Sequence, residues 1–264
     1  MRASWIRITA VARRHAYVLQ RSPHRAFDVT LWPVVDVLLF GSIGVFAARQ
    51  GGSSGTAFAY LLSGVVLWHV VYQSQIALST GFLEETWSRN LLNLMVTPLR
   101  EVEYVAGVAL FGMVKLVIGI GLVALTALVA YAFDITALGI GLVPVAAILL
   151  ATGWVIALFV IGVVLRFGSG AEALAWGILF LVLPLSGAFY PVDALPALLR
   201  PVSLALPTTH AFAAGRSLIG GGTLDWGAVG TAAGLTLVAL AVACWYLTVQ
   251  LAGFRRRGAI SRYS

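Results

Sequence analysis

Few side chains in this sequence could carry chemistry, and each needs a particular setting. Gly51-Gly-Ser-Ser-Gly55 fits the pattern G-x-S-x-G, in which a serine becomes a nucleophile on a sharp turn between a strand and a helix. Here the glycines and serines predict a flexible turn instead. Of the four histidines, His15 and His24 fall in a basic N-terminal stretch, His69 in an apolar run and His210 behind a proline-rich segment. A transition-metal site inside membrane helices needs His, Asp or Glu facing one another at helical spacing. His69 stands alone, followed by Tyr72 and Gln73, and is expected to be a hydrogen-bonded interior residue. A P-loop needs Gly-Lys followed by Ser or Thr, so that backbone amides and the lysine hold the phosphates. The only lysine, Lys115, lies between Val114 and Leu116. Cys244 is the only cysteine, which rules out an intrachain disulfide or a cysteine-based metal site and leaves the redox compartment open. No catalytic, cofactor-binding or metal-binding residue is expected.

The remaining chemical signal is Asp36 and Lys115, each inside a long apolar stretch. An ionisable group there is costly enough to suggest function. Three readings stand: an Asp36–Lys115 ion pair, a role lining a pathway, or plain burial with the lysine stem reaching back toward the membrane surface.

The elements that would position these residues follow from composition. Of 264 residues, 60% are hydrophobic and only 10% charged, with a mean hydropathy of +0.96; a soluble domain has about 25% charged residues. A water-soluble fold could not hide this much apolar surface. A spanning helix needs about 20 predominantly apolar residues, and six stretches qualify: 29–48, 57–80, 103–131, 140–165, 173–190 and 228–252. The net charge of +7 reports orientation and anionic headgroups rather than nucleic acid. Of the 17 basic residues, 13 lie in the N-terminal segment, the second and fourth connections and the C-terminal tail, against Arg49, Arg200 and Arg216 on the other side. By the positive-inside rule both ends are cytoplasmic. An Arg-rich stretch stands where a signal peptide would have its apolar core, so no cleaved signal is expected.

Three segments are more than membrane filler. Residues 1–27 form an N-terminal amphipathic interfacial helix, with Trp5, Ile8, Ala12 and Leu19 on one face and Arg7, Arg14 and Arg21 recurring every seven residues on another. Residues 82–98 form a cytoplasmic amphipathic helix between spans two and three, with Leu83, Trp87, Leu91 and Leu94 or Met95 on one face and Glu84, Glu85, Ser88, Arg89 and Asn93 on the others; Pro98 stops it. It can dock in a groove of a soluble partner or rest on the membrane. Residues 184–210 carry prolines at 184, 191, 196, 201 and 207 among leucines. They predict short broken helices dipping back into the outer leaflet, as an external plug or as an amphipathic hairpin on the outer surface. The plug reading makes Phe189, Tyr190, Pro191 and His210 a candidate outer gate.

The order of these segments resembles the ABC-2 type permease family over almost the whole chain. Asn-Leu-Leu-Asn-Leu-Met-Val-Thr-Pro-Leu (90–99) is similar to that family's coupling stretch; Leu-Ser-Gly-Ala-Phe-Tyr-Pro-Val-Asp-Ala-Leu-Pro (185–196) and Leu-Pro-Thr-Thr-His-Ala (206–211) are similar to the region before its final helix. The resemblance implies an all-α integral membrane protein, residues 1–264 being one transmembrane domain. It implies a permease subunit, not itself an enzyme, of an ATP-driven exporter of an amphiphile: a drug, a lipid or a lipid-linked glycan. It further implies a second permease copy as a homodimer and two cytoplasmic ATPase subunits that hold ATP and Mg, in the plasma membrane of a bacterium. Glu84, Glu85, Trp87, Arg89, Asn90 and Leu91 become the candidate coupling residues, since a force-transmitting contact needs an apolar anchor with polar neighbours. Two rivals remain. Gly52-Ser-Ser-Gly55 looks like the Gly-x-Ser-Gly of rhomboid intramembrane proteases, although the last span lacks that family's histidine; and Gly230-x-x-x-Gly234 suits close helix packing in a non-transporting assembly subunit.

Overall fold

The computed structural model describes residues 2–51, 54–87, 97–171, 173–219 and 222–256. Among them the regular backbone is all helix, the open structure that satisfies its own N–H and C=O groups in an apolar medium. The helices are α1 (Arg2–Gln20), α2 (Pro23–Gly51), α3 (Ser54–Trp87), α4 (Glu101–Tyr131), α5 (Leu142–Phe167), α6 (Leu174–Leu185), α7 (Arg200–Leu204), α8 (Pro207–Arg216) and α9 (Trp226–Arg256). Single 3-10 turns lie at Ile135–Leu138, Ser169–Ala171 and Val192–Ala194.

Among the described residues, five helices are long and apolar enough to cross a membrane: Thr30–Arg49, Phe58–Glu84, Val102–Tyr131, Leu142–Phe167 and Trp226–Phe254. They match five of the six expected spans. The stretch expected at 173–190 is only the 12-residue α6, about 18 Å of rise against about 30 Å of hydrocarbon. Pro184 sits in its last turn, and Gly187 follows with φ +67, a conformation that favours glycine. Two other boundaries differ from expectation. The first helix stops at Gln20 and the second begins at Pro23 rather than near residue 28, because proline's fixed φ and missing N–H suit a first helical position. The second span does not end before residue 82; α3 runs on to Trp87, so the first residues of the 82–98 segment extend that span.

α3 is the buried centre. Leu67, Trp68, Val70 and Val71 pack with Leu149 of α5, Phe212 of α8 and Ala232 of α9. α2, α4 and α9 instead turn Leu39, Phe46, Val117, Val129, Leu237 and Trp245 outward, which costs nothing where the surroundings are as apolar as the side chain. Glycine sets the tightest approaches: a Cβ at Gly153 would meet Ser74 Oγ at 1.9 Å, and one at Gly64 the Ala188 carbonyl oxygen at 2.1 Å. Gly230 and Gly234 have nothing within 4 Å of such a Cβ, so neither serves packing within this chain.

The bundle has two distinct ends. At one, Val11 of α1, Leu78 of α3, Val108 of α4, Leu165 of α5 and Phe254 of α9 share a cluster, which brings the two termini of the helical body together. At the other, Phe58 of α3 meets Tyr131 and Phe133 edge-on. There Asp134 caps the turn between α4 and α5: its Oδ1 accepts from the Thr136 amide at 2.8 Å and hydroxyl at 2.6 Å, which holds its carboxyl below the usual range.

Candidate functional site

The candidate residues fall at three levels. At the end that holds the termini, Glu84 lies on the last turns of α3 and its Oε2 is 3.4 Å from Nδ1 of the buried His15. Glu85 and Trp87 follow on the same helix. Arg89, Asn90 and Leu91 lie outside the described residues, as does the core of the expected coupling helix. α4 starts at Glu101. Glu103 Oε2 accepts from the Arg100 amide at 3.0 Å, a helix-start contact, and lies 3.4 Å from Arg7 Nη1, which also donates to the Pro98 carbonyl. Arg7 is therefore turned into the protein rather than sharing an outer basic face with Arg14 and Arg21. The buried stripe of α1 runs through Val11 and His15, and Trp5 is 60% exposed.

At mid-depth the structure brings Asp36 to His69, not to Lys115. His69 is 1% exposed, its Nδ1 donates to the Val65 carbonyl at 3.1 Å, and its Nε2 lies 3.6 Å from Asp36 Oδ2. His69 is thus the hydrogen-bonded interior residue expected. Lys115 stands 5.5 Å from the Phe111 ring centre and lines a small pocket with His15, Ala77, Thr80, Glu84 and Leu19. Residues 69 and 77 are eight apart on α3, which puts Lys115 about 12 Å or more from the level of Asp36. A salt bridge between the two is replaced by two separate polar sites.

At the far end the proline-rich segment folds onto a hydrogen-bonded hub. Ser203 Oγ donates to the Leu185 carbonyl at 2.6 Å, and Thr209 Oγ1 to the Ser203 carbonyl at 2.6 Å. Arg216 donates to the carbonyls of Gly187 and Ala188, and its guanidinium lies 3.8 Å from the Tyr60 ring centre, a cation–π contact. Burial pushes Arg216 down to about 10, which leaves it a cation at neutral pH. Of the gate candidates, Phe189 stacks on Phe40 at 4.2 Å, Tyr190 donates to the Pro184 carbonyl at 2.5 Å, and a His210 ring nitrogen lies 2.9 Å from the Leu204 carbonyl. Pro191 is exposed and starts the turn Val192–Ala194.

The first serine of the Gly-Ser turn, Ser53, lies outside the described residues; Ser54 begins α3, with His69 fifteen residues further along the same helix, about 22 Å of rise. His210 is engaged by the Leu204 carbonyl. No histidine base is delivered to Ser54 along α3. Sequence reasoning gave Arg7, His15 and Arg216 no contact partner and did not single out Glu103 or Tyr60. One faint signal existed: Glu103 stands three residues after Arg100, the spacing of a helix-start contact.

Residues 10–219 match the model of the ABC-2 type transporter family. No curated protein matches the chain. The family match covers most of an all-helical, multi-pass membrane body, so the chain belongs to the ABC-2 type transporter family and is a permease component of an ABC transporter.

Proposed function

We propose that this permease exports an amphiphile, a drug, a lipid or a lipid-linked glycan, from the cytoplasm across a bacterial plasma membrane. It works as a homodimer with two cytoplasmic ATPase subunits, which hold ATP and Mg. Energy enters at residues 82–98, where Glu84, Glu85, Trp87, Arg89, Asn90 and Leu91 meet the ATPase. The outer gate is the segment around Phe189, Tyr190, Pro191 and His210. The observation that carries the reading is the family match over residues 10–219.

Six crossings with both termini inside accord with the contacts. Ala171, just before α6, shares a buried cluster with Leu83, and the Ala188 carbonyl, just after α6, approaches Gly64. Those two α3 residues are nineteen apart, about 28 Å of rise, so the chain from 171 to 188 covers close to a membrane's thickness although α6 is short. The proline-rich segment is anchored by Arg216 and Tyr60 at the end away from the termini, in accord with a gate facing outward. The short form of the outward connections leaves no large external domain, which favours a path through or beside the dimer interface over a mechanical transmitter.

The test is co-purification with an ATPase subunit, followed by ATP hydrolysis in liposomes challenged with cationic, anionic and sugar-bearing amphiphiles. Hydrolysis that responds to one class supports export of that class. A chain that purifies with no ATPase subunit overturns the reading.

A further inference from the structure

We infer that Asp36 and His69 form a binding site for a cationic amphiphile, the carboxylate taking its ammonium group and the outward stripe of α2 its apolar body. The inference rests on the export reading above and names the charge of the cargo. Asp36 lies inside the span Thr30–Arg49, more than one turn past its start, and its side chain is 37% exposed. A carboxylate inside a membrane is costly unless it is paired. Among the described residues its one polar contact is His69 Nε2 at 3.6 Å. That contact does not neutralise it. A backbone carbonyl only accepts, so the ring proton that Val65 takes sits on Nδ1. In its neutral form the ring then turns a lone pair, not a proton, toward Oδ2. Two electron-rich atoms face each other, one on a buried ring fixed by Val65 and one on a carboxylate whose other side is open.

The surroundings set the class of cation. Trp32, Asp36, Leu39 and Ile43 recur at i, i+4, i+7 and i+11, so they share one face of α2, and Trp32, Leu39 and Ile43 are exposed on it. A metal ion gains nothing from such a stripe and needs several more ligands; among the described residues no group of three His, Cys, Asp or Glu could hold one. An organic ammonium needs no ligand shell and brings its own apolar body to lie along Leu39 and Ile43. It is also drawn to the face of an indole. Trp32 stands one turn from Asp36 on the same stripe.

The test uses the complete complex of permease and ATPase subunits in liposomes of phosphatidylglycerol and a diglycosyl lipid, which carry no ammonium. Three membrane probes share one hydrocarbon and differ in charge: diphenylhexatriene, its trimethylammonium derivative and its propionate. The trimethylammonium probe should stimulate ATP hydrolysis at a half-maximal mole fraction in the lipid about tenfold or more below the other two. Asp36→Asn should bring the three within about twofold of one another, Asp36→Glu should keep most of the preference, and Trp32→Leu should cost the cationic probe about threefold. Asp134→Asn, an equal charge change at the far end of the bundle, should leave the preference as in wild type. Addition of phosphatidylethanolamine assigns the source of the ammonium. Basal hydrolysis that rises with this lipid in wild type but not in Asp36→Asn makes the headgroup the occupant; unchanged basal hydrolysis makes it the free amphiphile. The site is overturned if wild type answers equally to all three probes, if Asp36→Asn keeps the cationic preference, or if the folded variant separates the two permease copies, which would make the stripe an interface between them. Should Asp36→Asn fail to fold, the wild-type comparison and Trp32→Leu still decide. Hydrolysis that responds to the probes without regard to charge removes the site and keeps export; no response to any amphiphile, with no ATPase subunit co-purifying, removes export itself.

Discussion

A Cβ at Gly64 would sit 2.1 Å from the Ala188 carbonyl oxygen, a backbone atom that cannot swing aside. Gly64→Ala should therefore displace the chain after α6 and destabilise the protein by about 1–3 kcal/mol, seen as a lower thermal unfolding midpoint in detergent. Gly230→Ala is its control: open space surrounds that position, and the midpoint should move by no more than about 0.5 kcal/mol equivalent. Equal effects at both positions would mean the α3 approach is looser than described. Arg216 acts on the same strip of chain from the other side, through the carbonyls of Gly187 and Ala188 and the face of Tyr60. Replacing it with methionine keeps the apolar stem and removes the donors, leaving those carbonyls unsatisfied at a cost of about 1–3 kcal/mol. Arg216→Met should speed proteolysis within residues 190–206 while α3 stays protected. Tyr60→Leu, which removes only the ring face, should have a smaller effect of the same kind.

Elements were legible to unequal degrees, and the physical range of each signal explains why. A run of about twenty apolar residues is a local property, so five membrane-length helices appear close to where hydropathy put them, Val102–Tyr131 within a residue of the expected 103–131. Helix ends depend on one or two residues: Pro23 moved one boundary, and Pro184 with Gly187 cut α6 short of a full span. Contacts across the fold left almost no local trace. Arg7 and Glu103 are 96 residues apart, Tyr60 and Arg216 farther still, and nothing in the heptad spacing of Arg7, Arg14 and Arg21 said that the first would turn inward. The Asp36–Lys115 pairing failed for a related reason: opposite charges in two spans invite pairing, but depth decides it, and His69 is the group level with Asp36. At the scale of elements the coupling segment makes its own prediction. Trp87→Ala with Arg89→Ala should lower both transport and ATP hydrolysis of the assembled complex while membrane insertion is unchanged; unchanged transport would remove the coupling assignment from this segment.

For the whole molecule the open quantity is how often the chain crosses, and α6 decides it. Among the described residues helix length alone counts five crossings, which would put the termini on opposite sides of a membrane; yet Val11 of α1 and Phe254 of α9 share one cluster at one end of the bundle. An odd number of crossings cannot return the chain to the end it left, so the proposed six-crossing topology assigns the sixth to the segment from Ala171 to Ala188. Its placement fits: Ala171 belongs to the cluster that holds Leu83, and the Ala188 carbonyl approaches Gly64 near the opposite end of α3. A 12-residue helix can do this because the turn after it is buried in protein, with Ser186, Gly187 and Ala188 all shielded, where irregular backbone at membrane depth is tolerated. The proposed sidedness rests on charge, since 13 of 17 basic residues fall in the sequence segments expected on the cytoplasmic side. Single cysteines placed in a Cys244→Ala background check both statements with a membrane-impermeant maleimide on intact cells. Asp134→Cys, Asp193→Cys and Asp225→Cys, at exposed positions of the far end, should label from outside. Arg21→Cys, Thr97→Cys and Ala173→Cys should label only after permeabilisation. The pair at 173 and 193 is decisive: labelling of both from the same side would mean that α6 does not cross, and the bundle would have to hold its termini together by some route other than six passes.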